Sequence, residues 1–214
     1  MIQNYKHVIW DWNGTLLNDT ALSVDLINGV LKSNNLNPLT LEEYRLIFDF
    51  PVKDYYEKAG FDFSKYSFEV VGKQWMDEYE RRKREITLFD GVREVLSYIK
   101  SSGIDQSILS AYSYHTLVEI VDYHRLGQYF THITGLDHIY ATSKLEIGKE
   151  LIAKLNCSKD EIVLIGDTIH DYDVANDLEI KSILIANGHQ NRERLLVCNV
   201  PILNDIREII SRTF

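Results

Sequence analysis

HVIWDWNGTLLND, residues 7–19, decides how this chain is read. His7-Val8-Ile9-Trp10 is a short apolar run, rich in β-branched and aromatic residues, that stops at the carboxylate of Asp11. Such a run reads as a buried strand, and Asn13-Gly14 supplies residues that accept the backbone angles of the turn after it. The strand therefore delivers Asp11 to its own C-terminal end. Open parallel sheets take their ligands just beyond such strand ends, so the search for chemistry begins there.

Downstream the pattern becomes helical. Leu22, Leu26, Ile27, Val30 and Leu31 share one helical face behind Asp19, a candidate N-cap. Ser33-Asn34-Asn35 and Asn37-Pro38 stop that helix. Further helical patches are expected near residues 41–48, 52–59 and 63–86. In the last, Phe68, Val71, Trp75 and Tyr79 recur at steps of three and four, and the charged run 81–85 reads as a solvated helix end. No strand is expected between Asn18 and Thr87.

From Asp90 the rhythm alternates between helical stripes and short apolar strands. Strands are expected at 106–110, more weakly at 131–134, at 162–165 and at 182–186, with helices between them, one of them spanning 143–155. Residues 200–214 read as a short extended piece and a closing helix. Repeated strand, helix, strand order implies parallel strands joined by right-handed crossovers. The fold class is α/β, with residues 1–17 and 87–214 forming the core and residues 18–86 a separate helical cap.

A length of 214 residues suits one well-buried domain, or a core with a smaller insertion. No apolar run is long enough to span a membrane, and residues 1–5 are too short and polar for a signal peptide, so a cytoplasmic location is expected. A formal charge of −9 disfavours nucleic-acid binding, which needs Lys and Arg against phosphates. A small anionic substrate is compatible with it, because a local cation or a metal suffices. Cys157 and Cys198 lack metal-ligand spacing and read as packing residues.

A second signal is Ile165-Gly166-Asp167-Thr168-Ile169-His170-Asp171, where another apolar strand ends at an acid and Asp171 follows at the start of the next helix. Mg²⁺ takes oxygen ligands, usually one or two carboxylates with water and a substrate phosphate. Two strands ending side by side would gather Asp11, Asp167 and Asp171 around one such ion; without it the three carboxylates would repel one another.

Asp11-Trp12-Asn13-Gly14-Thr15-Leu16 resembles the first motif of the haloacid dehalogenase superfamily, whose members mostly transfer phosphoryl groups through an aspartyl phosphate. Gly166-Asp167 with Asp171 resembles the fourth motif. Ser110, at the end of Ser107-Ile108-Leu109-Ser110, resembles the second, and Lys144 in Ala141-Thr142-Ser143-Lys144-Leu145 the third. The family often places Pro after that lysine; here Leu145 stands there, and Lys149 is a competitor for the role. The helical stretch between the first and second motifs matches the subgroup with an inserted helical cap.

The resemblance implies a Rossmann-like core and a Mg²⁺-dependent phosphohydrolase acting on a small phosphorylated metabolite, similar to phosphoglycolate phosphatase relatives, as a monomer or dimer. It implies Asp11 as nucleophile, and Asp11, the Asn13 main-chain carbonyl, Asp167 and Asp171 as metal ligands. Lys144, Ser110 and Thr15 would contact the transferring group, and residues 50–53 would reach inward from the cap. His170 reads as a loop residue beside the site. For His189, after the last strand, packing is preferred over a reach into the site from its rim.

The chain departs from the family at Asn13, where its phosphatases usually carry Asp. An amide cannot transfer the proton, and general acid–base help is typically worth about a hundred- to ten-thousandfold. Two other readings follow: a carbon–phosphorus bond hydrolase, which would need a Schiff-base lysine in the cap, and a phosphate-ligand sensor with negligible turnover. A dehalogenase would have no use for Asp167 and Asp171.

Overall fold

The central strand β1 (His7–Trp10) is buried on both faces, which is why its residues form a continuous apolar run instead of alternating. In this computed structural model, which describes residues 2–65, 67–136 and 143–211, β1 lies inside a six-stranded sheet. The others are β2 (Asp105–Ser113), β3 (His132–Leu136), β4 (Ile162–Gly166), β5 (Lys181–Ile185) and β6 (Ile202–Leu203). Their order is β3-β2-β1-β4-β5-β6 and every pairing is parallel. The chain builds outward from β1 to β3 on one side, then crosses to lay β4 on the other. The order thus reverses between β1 and β4, where open α/β sheets form their ligand crevice.

Helices cover both faces. Val8 and Trp10 of β1 join one apolar cluster with Val95, Leu96 and Ile99 of α5 (Val92–Ser101) and Leu117 and Ile120 of α6 (Tyr114–Tyr123). Ile9 points into the other, with Ile147 and Leu151 of α7 (Lys144–Ile152) and Val174 of α8 (Ile169–Asp177). Register sets the level of the strand ends: Trp10 lies opposite Ile108 in β2 and Ile165 in β4. Asp11 N–H donates to the Ile165 carbonyl at 2.8 Å. Asp11 and Asp167 therefore emerge beside each other.

Among the described residues four α-helices stand between β1 and α5: α1 (Thr20–Ser33), α2 (Leu41–Ile47), α3 (Val52–Lys58) and α4 (Phe68–Arg82). They share their own apolar cluster, including Ile27, Leu31, Tyr44, Tyr56 and Val71, and Trp75 packs against both this cluster and the sheet's. The chain enters and leaves this insertion at adjacent points. Leu17 bridges Leu88, Asn18 N–H donates to the Thr87 carbonyl at 2.9 Å, and Phe89 N–H donates to the Leu16 carbonyl at 3.1 Å. Among the described residues no helix is long and apolar enough to cross a membrane.

Several boundaries move from their expected places. β2 runs to Ser113, so Ser110 is inside the strand, next to an irregularity in its pairing with β3 between Leu109 and Ser113. α4 starts at Phe68 because Asp62 bonds the backbone and hydroxyl of Ser64 in a turn and Ser67 caps the helix, accepting from Val70 N–H. The expected patch 63–86 also covers Tyr66, outside the described residues, as are Ala141 and Thr142 of the third-motif stretch and residues 212–214 of the tail. The closing pieces are β6 and α10 (Glu208–Ser211), preceded by an unexpected short helix, α9 (Arg192–Leu195), capped by Asn191.

Candidate active site

Asp11 and Asp167 leave the ends of β1 and β4, and Asp171 joins them from the first turn of α8. One oxygen from each of the three lies within 4.8 Å of the others, and all three residues are buried. Asp171 is tied down by its helix: Thr168 and Asp171 form a capping box, in which Asp171 Oδ2 accepts from Thr168 Oγ1 (2.6 Å) and Thr168 N–H (3.0 Å). Its other oxygen accepts from Lys144 Nζ at 2.6 Å, and the same ammonium is paired with Asp11 Oδ1. The strand-end acid and the helix cap are thus compatible with a site, because each oxygen of Asp171 has a different task.

Lys144 is the first residue of α7, behind the Ser143 N-cap, and is 3% exposed. Lys149, its competitor, is exposed on the same helix. Thr15 is buried beside the same carboxylates, where its hydroxyl donates to Asp167 Oδ1 at 2.9 Å and lies 3.3 Å from Asp11 Oδ2. It spaces the two carboxylates. Ser110 is buried in the cavity wall, where its Oγ accepts from Tyr112 N–H at 3.1 Å.

Burial pushes the Asp11 carboxyl up to about 8, although Lys144 opposes the shift, and Asp171 and Asp167 add to it. Asp167 is raised to about 6, again chiefly by burial. Burial works in the same direction on Asp171, but Lys144 and the hydrogen bonds from Lys144 and Thr168 carry it below the usual carboxylate range. Three buried carboxyls around one ammonium leave the cluster short of positive charge. Its all-oxygen donor set fits a hard divalent cation such as Mg²⁺.

A second network surrounds Asn13. Its Nδ2 donates to Asp19 Oδ2 (2.8 Å) and to the Tyr79 hydroxyl (2.7 Å), which in turn donates to Asp19 Oδ2 at 2.9 Å. Asp19 occupies the N-cap position of α1 but makes no side-chain cap bond; instead its Oδ1 accepts from Gly14 N–H at 2.8 Å. His189, expected as a packing residue, is packed and also lines the cavity. It is 5% exposed; Nε2 lies 3.3 Å from Asp19 Oδ1, Nδ1 is 2.8 Å from the Tyr44 hydroxyl, and its N–H donates to Asp167 Oδ2 at 2.6 Å. Burial would lower its pKa, but the charge of Asp19 overrides this and raises it to about 9. Gly14, at φ +75°, and Gly188 admit this packing: a Cβ on either would collide with the Asp167 carboxylate.

No motif in the sequence marks Asp19, Tyr44 and Tyr79 as neighbours of these carboxylates, because they come from separate segments. The signals were faint: an acid among the leucines of residues 16–22, and Gly188-His189 just past the end of β5.

Above the carboxylates opens a cavity of about 720 Å³ between the sheet and the four-helix insertion. Phe50 and Val52, from the segment expected to reach inward, line it, and the Phe50 ring lies 4.7 Å from that of His170. Lys53 is not among the lining residues; its ammonium lies over Phe63. The insertion's cavity-lining lysine, Lys73, is largely exposed and paired with Asp77 at 2.6 Å, unlike the desolvated amine that Schiff-base chemistry requires.

Comparison with known proteins agrees with this geometry. Residues 8–185 match the model of the haloacid dehalogenase-like hydrolases. Pyrophosphatase PpaX of Listeria monocytogenes is 23% identical over 88% of this chain and 86% of its own. Phosphoglycolate phosphatase of Caulobacter vibrioides is 23% identical over 87% of this chain and 81% of its own. A haloacid dehalogenase-like hydrolase from Streptococcus pneumoniae superposes with a TM-score of 0.84 over 97% of this chain and 98% of its own at 16% identity, a likeness of fold. The order of the strands, the acids at their ends and the match over residues 8–185 agree: the chain belongs to the haloacid dehalogenase-like hydrolase family.

Proposed function

We propose that this hydrolase removes the phosphoryl group from a small phosphorylated metabolite, with Asp11 as the nucleophile. The observation that carries the reading is the pairing of the Lys144 ammonium with both Asp11 and Asp171 at the crevice between β1 and β4. A cation so placed neutralises the nucleophile's surroundings and can meet an anionic phosphoryl oxygen. Relatives named for pyrophosphate and for phosphoglycolate are consistent with phosphoryl chemistry.

In this reading an Asp11 carboxylate oxygen attacks phosphorus in line as the bond to the leaving oxygen breaks, giving an aspartyl phosphate. Water then attacks that phosphorus, releasing inorganic phosphate and the free carboxylate. Asp11, Asp167, Asp171 and the Asn13 carbonyl would hold Mg²⁺, which when bound supplies charge stabilisation to the phosphoryl oxygens. Lys144 shares that task, and Ser110 lines the same space. Thr15 and the capping box fix the carboxylates. Residues 18–86 would serve as a cap on a core of residues 1–17 and 87–214, excluding water from the site.

Asn13 favours a second, narrower reading: a protein that binds phosphate esters but turns over slowly those whose leaving group needs a proton. Its amide is committed to Asp19 and Tyr79. Phosphate release from a panel of phosphorylated metabolites, with and without Mg²⁺, tests both. Release that requires Mg²⁺ and Asp11, with a hydroxylamine-labile phosphoenzyme in rapid quench, supports the first. Stoichiometric binding without release supports the second.

A further inference from the structure

We propose that the group carrying the phosphate is uncharged and contains an aromatic or other flat ring, seated in the cavity between sheet and insertion. This inference rests on the phosphatase reading, and it concerns what the cavity admits. At about 720 Å³ the cavity is far larger than a phosphoryl group needs and matches sites for drug-sized molecules. Its walls include Phe48, Phe50, Tyr55, Phe68, Trp75 and Tyr79. Phe50 and Met76, both in its wall, are 37% and 44% exposed overall, leaving apolar area for a ligand to cover. Aromatic walls of this kind suit the face or edge of another ring.

The charges argue the same way. Among the described residues lining the cavity, only Lys73, Lys144, His170 and His189 can carry positive charge. Lys144 answers Asp11 and Asp171, His189 answers Asp19, and the His170 ring packs on Phe50. Lys73 faces solvent in its pair with Asp77, and Glu69 and Asp77 add negative charge to the same wall. No arginine is among the described lining residues, and the two that bond the loop after β5 or the Phe48 segment are committed there: Arg45 donates to the carbonyls of Asn187 and Gly188, and Arg194 to the Phe48 carbonyl and the Asp49 carboxylate. A second anionic group on the substrate would be buried without a counter-charge, which is strongly unfavourable.

The test compares phenyl phosphate with 4-carboxyphenyl phosphate, whose leaving phenols are closely similar in acidity, in Mg²⁺ buffer with the full chain. The expected result is a kcat/KM at least about tenfold higher for phenyl phosphate, ~1.4 kcal/mol of discrimination. Met76→Lys, on an exposed helix position in the cavity wall, should shrink that ratio by adding a cation. Equal or greater kcat/KM for the carboxylated ester in the wild type would overturn the proposal. Should neither ester be hydrolysed while the metabolite panel shows Mg²⁺-dependent release, the phosphatase reading stands and the proposal fails; should the panel give no release either, that reading fails, and calorimetric binding of phenylphosphonate against 4-carboxyphenylphosphonate decides the cavity question. Tighter binding of the uncharged ring supports it; equal, reversed or absent binding overturns it.

Discussion

The Asn13 amide donates to the Asp19 carboxylate at 2.8 Å, so the side chain standing where the family's phosphatases usually carry an acid is already held by one. Asn13→Asp would put two carboxyls within hydrogen-bond distance, and such pairs share one proton. The variant should then hold a protonated carboxyl suited to donation. Hydrolysis of alkyl phosphates should rise by up to about a hundred- to ten-thousandfold, and aryl phosphates, whose leaving groups need no proton, by much less. A carboxyl whose pKa is raised on folding adds stability at low pH that is lost as pH rises through it, so the variant should melt progressively below wild type toward alkaline pH. Equal gains on both ester types would end this explanation.

Asp11→Asn should reduce phosphate release to background and leave the fold intact, since Lys144 keeps Asp171 as its partner. Circular dichroism and a coupled phosphate assay check the two halves. Activity within about tenfold of wild type, ~1.4 kcal/mol of barrier, would remove Asp11 from its role.

Metal binding should appear as thermal stabilisation, because a ligand held only by the folded state adds about 2.7 kcal/mol at a hundred times its Kd. Mg²⁺ should raise the melting temperature of wild type, and Asp167→Ala and Asp171→Ala should blunt the rise. The two variants should differ without metal. Asp171→Ala also removes the capping box of α8, a loss of about 1 kcal/mol that Asp167→Ala avoids. An undiminished Mg²⁺ response in both would count against the carboxylate site.

His7 offers a stability prediction apart from the chemistry. It is buried in β1 with Nε2 2.9 Å from Ser107 Oγ, and burial pushes its pKa down to about 4 from the usual 6.5. The unfolded chain therefore binds the proton more readily. His7 stays neutral at no cost above pH 6.5, and stability is lost as pH falls from there toward 4, by about 3 kcal/mol at most. His7→Gln, which keeps a hydrogen-bonding group near Ser107, should flatten the wild-type loss over that window in urea melts. Parallel slopes for the two proteins would show that His7 does not titrate between folded and unfolded states.

Much of this was legible because it is local. A strand ending at an acid needs only a few neighbouring residues to declare itself, and Asp11, Asp167 and Asp171 stand where such short patterns put them. Lys144 rather than Lys149 follows from helical phase once Ser143 is known to cap α7. The network of Asp19, Tyr44, Tyr79 and His189 was not legible, because it exists only where α1, α2, α4 and the loop after β5 meet. Nothing near Asp19 in sequence distinguishes a helix cap from a carboxylate turned toward a histidine 170 residues away. Thr15 shows the same limit: the resemblance implies a phosphate contact, and only the register of β1 against β4 reveals that Asp167 lies within reach of its hydroxyl.

The helical insertion is fastened in two unlike ways. At Leu17 and Leu88 it is held by backbone pairing that leads straight into the sheet. On another side, side chains do the holding: Arg45 on Gly188, Gln190 on the Phe48 carbonyl, Arg194 on Asp49. The first is continuous with the sheet's own hydrogen bonding, whereas the second consists of side-chain contacts that can part without breaking any strand pairing. Asp19, two residues from Leu17, therefore sits on the firmly tied side, and Phe48 and Phe50 on the side held by side chains alone. Amide exchange would register the asymmetry as slow, ligand-independent protection at Asn18 and Phe89, against ligand-dependent protection in residues 45–52.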